Sequence, residues 1–224
     1  MYVTIPNQQS EYACPQKMSH RTRSLPETRL NAGSHLFHEG DRVERIYQVI
    51  SGVVSLTRLL EDGRRQIIAF GFPGDIVGFP CEDRHHTDCV ALNTVRLQPH
   101  RMSQLDASGS DPKLHADLLQ AALREIAAMQ DHFMMLGRKS ATEKVAAFLT
   151  VLTNRSGTIV GQYDQVELPM SRADIADFLG LTTETVSRTI SQFRKSRVIA
   201  LDGAHTVIVL RPKALQALAQ DGNI

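Results

Sequence analysis

Apolar and polar positions alternate with two different periods along the chain. From Leu30 to about Pro99 short apolar stretches alternate and are broken by glycines, as in Ile46-Tyr47-Gln48-Val49-Ile50, Val53-Val54-Ser55-Leu56-Thr57 and Gln66-Ile67-Ile68-Ala69-Phe70. Asp62-Gly63 marks a hairpin and Phe72-Pro73-Gly74-Asp75 a turn. Regular short strands with turn signals predict a sandwich or a small barrel. From Asp111 to about Gly137 the period becomes helical. Leu119, Ala122, Ile126, Met129, Phe133 and Leu136 recur at three and four, an a/d seam. A second stripe through Leu114, Leu118, Ala121 and Glu125 is weaker and ends in charge, so one seam dominates, and it fits either a two-stranded coiled coil or the inner face of a core helix.

Ser140-Ala141-Thr142-Glu143 is a capping box that opens another helix, with Val145, Phe148, Leu149 and Leu152 inward. The preceding helix therefore breaks near Gly137-Arg138-Lys139, a hinge. Asn154 to Gly161 reads as a polar loop, followed by short strands ending at Val166-Glu167-Leu168. Residues 1–28 hold Pro6, Pro15 and Pro26 among polar residues without an apolar period, and read as a mobile arm.

The most informative stretch is 169–190. Ser171 can N-cap a short helix, with Asp174 in its first turn and Ile175, Ala176 and Leu179 on one face. Gly180 can end that helix in the left-handed conformation, and Thr182 can cap the next. In the second helix Val186, Ile190 and Phe193 point one way, while Glu184, Ser187 and Arg188 share another face. This is the layout of a helix-turn-helix, whose second helix offers a polar N-terminal face to the DNA major groove. Any small helical bundle could carry such a pair. The short turn, the early polar trio and the run of Arg188, Arg194, Lys195 and Arg197 without an acid between them favour DNA. Val198–Leu201 and Thr206–Leu210 flank Asp202-Gly203 and would form a two-stranded wing. Pro212 can occupy the first position of a last helix running through Ala219.

"GLTTETVSRTISQFRKSRVI" resembles the recognition helix of the CRP/FNR superfamily of bacterial transcription regulators, in its FNR and FixK branches. Those carry Glu-x-x-Ser-Arg, here Glu184, Ser187 and Arg188. "FHEGDRVERIYQVISGVVSL" and "FGFPGDIVGF" are similar to the β-roll of the cyclic-nucleotide-binding fold, so the resemblance runs from about Leu30 onward. Following the arm over 1–28, it implies an α+β chain: a β-roll over 29–110, a dimerisation helix over 111–137 and a winged helix-turn-helix over 138–224. It also implies a homodimer on inverted TTGA half-sites, in the form TTGA-N6-TCAA, and activation by contact with RNA polymerase. Arg188 suits a bidentate pair with guanine, Glu184 can accept from a cytosine amine, and Ser187 can meet a thymine methyl or a base edge. Ser171, Thr182, Thr183, Thr185, Arg194, Lys195 and Arg197 are weaker candidates, for the DNA backbone.

Composition adds little to this picture except through its distribution. The net charge is +1, yet residues 138–224 carry 11 Lys/Arg against 8 Asp/Glu, a net of +3, leaving the rest 14 against 16. The basic excess thus falls with the helix-turn-helix. Cys14, Cys81 and Cys89 are an odd set without a secretory leader, which points to a reducing cytoplasm, and no apolar run approaches a membrane span.

No cofactor is expected. Cyclic-nucleotide binders of the family present Gly-Glu for the ribose and Arg with a small hydroxyl residue for the phosphate. The stretch from Gly78 to Ala91 has neither, and Asp88 would repel an anion. The iron–sulfur members' N-terminal cysteine group is absent, and Arg96 stands at the last ligand position. Cys81, His85, His86 and Cys89 suit zinc by type but not by spacing; a polar loop with two small buried thiols is the simpler reading. No nucleophile–base–acid set suggests an enzyme. An alternative function is a ligand-gated regulator whose roll binds an unidentified small molecule.

Overall fold

The computed structural model of the chain describes residues 25–102 and 112–221. The arm read over 1–28, with Cys14, lies outside them except for its last four residues. Those four are tied to the roll. Gln98 donates to the Leu25 carbonyl at 2.8 Å, Glu27 pairs with Arg96 at 2.9 Å, and strand β1 (Thr28–Leu30) starts at once. The contacts divide the chain into two compact units, one through Met129 and one from Gln130.

The first unit is a roll of two four-stranded antiparallel sheets. One runs β1, β8 (Val95–Arg101), β3 (Arg45–Ser51), β6 (Ile76–Val77); the other runs β2 (His35–Phe37), β7 (Asp88–Ala91), β4 (Val54–Leu59), β5 (Arg65–Gly71). The alternation seen in the sequence is the register seen here. Val49, Val54, Leu56, Ala69, Val77, Cys89, Val95 and Leu97 point inward from both sheets and pack as one core.

Helix α1 (Pro112–Arg138) passes Gly137 and ends at Arg138, within the break read near Gly137-Arg138-Lys139. Two stripes run along it. Leu118 is buried against Ile46 and Ile76 of the roll, and Ala128, His132 and Met135 continue the same side at helical spacing. The weaker second stripe is therefore the inward face, which corrects the reading of a single dominant seam. Its cause is mixed chemistry, since glutamate and histidine interrupt the apolar positions. Opposite it, Leu119, Leu123, Ile126, Met129 and Phe133 remain exposed, Phe133 at 68%.

The second unit is built on α2 (Ala141–Ser156), α3 (Arg172–Leu179), α4 (Thr183–Lys195) and α5 (Pro212–Asp221). Ser140 and Glu143 close the expected capping box, each accepting from the other's backbone. Helix α2 runs on to Ser156, and Thr150, Thr153 and Ser156 satisfy their hydroxyls within it on carbonyls four residues earlier. What read as a polar loop is thus the end of a helix plus strand β9 (Thr158–Val160). That strand hairpins with β10 (Tyr163–Glu167). The wing strands β11 (Ile199–Asp202) and β12 (Thr206–Val209) pair as read, and β12 also pairs β10, giving a four-stranded sheet.

Candidate nucleic-acid interface

Every local device that shapes the helix-turn-helix is in its sequence. Ser171 caps α3 and forms a reciprocal box with Asp174, whose carboxylate accepts from the Ser171 N–H at 2.8 Å. Gly180 ends α3 at φ 61° and ψ 43°, the left-handed region that an L side chain enters at a cost. The Leu181 N–H returns to the Ala176 carbonyl at 3.0 Å and closes the turn. Thr182 then caps α4 by accepting from the Thr185 N–H. Two caps and one left-handed glycine thus set the angle between the helices.

The inner face of α4 is sealed. Val186 and Phe193 are fully buried, Ile190 is nearly so, and Thr189 turns its hydroxyl onto the Thr185 carbonyl at 2.8 Å. This fixes the rotation of the helix about its axis. Glu184, Ser187 and Arg188 are consequently exposed together on the outer face, as the spacing predicts. Among the described residues none of the three has a side-chain hydrogen bond or ion pair within the chain, although Glu184 sits in the first turn, where a carboxylate also favours the helix dipole. An unpaired arginine beside an unpaired glutamate is a donor fork and an acceptor presented to a partner.

The weaker candidates spread around this face. Ser171, Thr182 and Thr183 are exposed near the two helix starts, with Thr185 half-buried by its bond to Thr182. Arg194 and Lys195 are exposed in the last turn of α4. Arg197 is held at φ 55°, with its N–H on the Arg194 carbonyl and the next N–H, of Val198, on Phe193. That pattern of two crossed bonds ends the helix and delays the wing to Ile199. A glycine is the usual occupant of such a position; here an arginine stands there.

One basic residue was missed in the sequence. Arg172, directly after the Ser171 cap, is half-buried, and burial holds its guanidinium below the usual arginine range. It has no hydrogen-bond or ion-pair partner among the described residues. The signal that could have found it is its place in the first turn of the first helix of the motif.

The roll offers different chemistry. Phe37, Leu56, Ala69, Phe79, His85 and Met129 help to line a cavity of about 120 Å³. His85 stacks flat on Phe37 with ring centroids 3.6 Å apart, and its Nδ1 is buried without a partner. His86 instead meets Arg58 at 2.8 Å, Cys89 is in the core, and Cys81 is exposed in a turn with Arg84. The expectation of two buried thiols thus holds for Cys89 and fails for Cys81. Among the described residues no three His, Cys, Asp or Glu side chains gather as metal ligands would. Asp88 accepts from the Glu39 N–H at 2.8 Å.

Comparison with known proteins assigns this pair of units. The Crp-like helix-turn-helix domain matches residues 143–218, and the cyclic nucleotide-binding domain matches residues 27–98. The nitrogen fixation regulation protein FixK of Azorhizobium caulinodans is 42% identical over 187 residues, covering 83% of this chain and 75% of that protein. The chain belongs to the CRP/FNR family. Among other CRP/FNR proteins, FixK of Bradyrhizobium diazoefficiens is 40% identical over 84% of this chain and 80% of its own length. The transcriptional activator protein FnrL of Cereibacter sphaeroides is 33% identical over 80% of the chain and 74% of its own length. The solved structure of FixK2 from Bradyrhizobium japonicum superposes with a TM-score of 0.79 at 35% identity, over 86% of this chain and 96% of that one. The chain is thus a CRP/FNR transcription regulator of FixK/FNR type with a helix-turn-helix DNA-binding domain. No helix among the described residues is long and apolar enough to cross a membrane.

Proposed function

We propose that this regulator is a homodimer that binds TTGA-N6-TCAA-like inverted repeats in the cytoplasm. It activates transcription by recruiting RNA polymerase, and it needs neither a cyclic nucleotide nor an iron–sulfur cluster. The observation that carries the reading is the exposed, unpaired trio Glu184, Ser187 and Arg188 on a helix whose opposite face is sealed. In this reading Arg188 takes guanine, Glu184 takes a cytosine amine, and Ser187 lies at a thymine. Arg172, Arg194, Lys195 and Arg197 take phosphates, with Ser171, Thr182, Thr183 and Thr185 as lesser backbone donors. The exposed stripe of α1, with Ala122 and Leu136 at its border, packs against a second copy. The two half-sites of the repeat are about ten base pairs apart centre to centre, one turn of DNA, which suits two heads related by a dimer axis.

The direct test is transcription in a purified system of RNA polymerase, a template carrying the repeat and this protein alone. Product that rises with added protein, and that is lost when both TTGA elements are scrambled, supports the reading. No rise on the intact template refutes activation without an effector.

A ligand-gated regulator is the second reading, favoured by the apolar cavity beside His85. The two readings part on whether any small molecule raises DNA affinity.

A further inference from the structure

Helix α1 and the helix-turn-helix meet within the second unit, through particular side chains. The ring of His132 lies on that of Phe178 in α3, with centroids 4.3 Å apart and planes 21° apart. Leu136, one turn further along α1, comes within 3.6 Å of where a side chain on Gly180 would begin. Gly180 is the turn that sets the angle of α4. Two consecutive turns of α1 thus touch α3 and the bend that aims the recognition helix.

His132 is an expensive way to make this contact. It is 8% exposed, and its Nδ1 is buried with no hydrogen-bond partner. Lys144 of α2 is the neighbouring charge. An apolar side chain would fill the same place without orphaning a ring nitrogen. What a flat ring adds is direction, because its stack on Phe178 fixes the plane along which α3 lies against the end of α1.

We propose that His132 is the positioning residue that sets the spacing between half-sites. By fixing the rotation of α3 about the end of α1, it determines how far apart and at what relative twist the two recognition helices of a dimer are held. The inference rests on the dimeric reading above. Each base pair inserted between half-sites moves one of them by about 3.4 Å and turns it by about 34°. A rigid joint therefore accepts one spacer length, and a loose joint accepts several. Base recognition within a half-site lies on α4 and is untouched by the joint.

The experiment measures affinity of the full-length protein for duplexes TTGA-Nx-TCAA with the spacer shortened and lengthened by one and two base pairs. Wild type, His132→Ala and His132→Phe are compared, with a single-half-site duplex as reference. Wild type should bind its best spacing about tenfold or more above its neighbours, and His132→Ala should compress that ratio to within about threefold. His132→Phe, which keeps the stack, should restore most of the preference. A preference unchanged in His132→Ala overturns the proposal. So does a uniform loss of affinity at every spacing with the profile kept, since that marks a merely structural residue. If the alanine variant does not fold, His132→Gln replaces it under the same criteria. A wild type that binds no repeat better than the half-site would instead overturn the dimeric reading, and the proposal with it.

Discussion

Arg188 and Arg197 are both exposed arginines on or beside one helix, yet the structure gives them different work. Arg188 sits on the face that the burial of Val186 and Ile190 turns outward, so its fork is aimed by the core. Arg188→Ala should cost about 1–3 kcal/mol at the cognate site and flatten the preference at one guanine position. Binding to a panel of half-site variants checks this. Arg197 is the left-handed closing residue of α4, where glycine would relieve about 1 kcal/mol of backbone cost. Arg197→Gly should therefore raise stability in urea while weakening all DNA sequences alike, with a salt slope smaller by about one. The sequence showed that both residues were basic and could not show this difference. The backbone conformation of Arg197 depends on where the helix stops, and Cys81, read as buried, is exposed.

The elements differ in how much of them the sequence disclosed. Capped ends were legible, because a cap is a local device: Ser140, Ser171, Gly180 and Thr182 each act within a few residues. Helix α1 was half legible. Its exposed stripe is apolar and regular, whereas its inward stripe passes through Glu125 and His132, which are tolerated only by the elements they meet. Both faces yield predictions. Ile126→Glu should dissociate the dimer, removing burial of roughly 1.5–3 kcal/mol per side chain and setting like charges across the axis. Sedimentation checks it, and a variant that remains dimeric would make the stripe unrelated to assembly. On the inner face, burial, then the Lys144 charge, push the His132 pKa from 6.5 down to about 4, against the smaller opposing pull of the Phe178 carbonyl. The folded state therefore keeps the ring neutral where the unfolded chain binds a proton. Its contribution is complete above about pH 6.5 and is lost as pH falls to about 4, on the order of 3 kcal/mol. His85, lowered mainly by burial, adds a dependence of the same sign. Urea unfolding between pH 7 and 4 should fall less steeply in His132→Gln than in wild type.

At the scale of the molecule, a β-roll and a winged helix-turn-helix share one long helix. Asp88 is occupied by the Glu39 backbone, and the cavity beside it is lined largely by apolar side chains. The fold was legible because strand alternation, a seam and a helix-turn-helix are each periodic or local. The pairing of β10 into the wing sheet, and the joint of His132 with Phe178, join residues far apart in the chain and carry no periodic trace. Function then turns on whether the heads bind an inverted repeat unaided. The decisive measurement is a gel-shift titration of purified protein, with no small molecule added, on a TTGA-N6-TCAA duplex. Duplexes with one or both half-sites scrambled serve as comparisons. Tight binding to the intact repeat, reduced about a hundredfold or more by scrambling one half-site, is the expected result. Equal affinity for the intact and the half-scrambled duplex would contradict a dimer reading two half-sites, and equal affinity for the fully scrambled duplex would contradict sequence reading by α4.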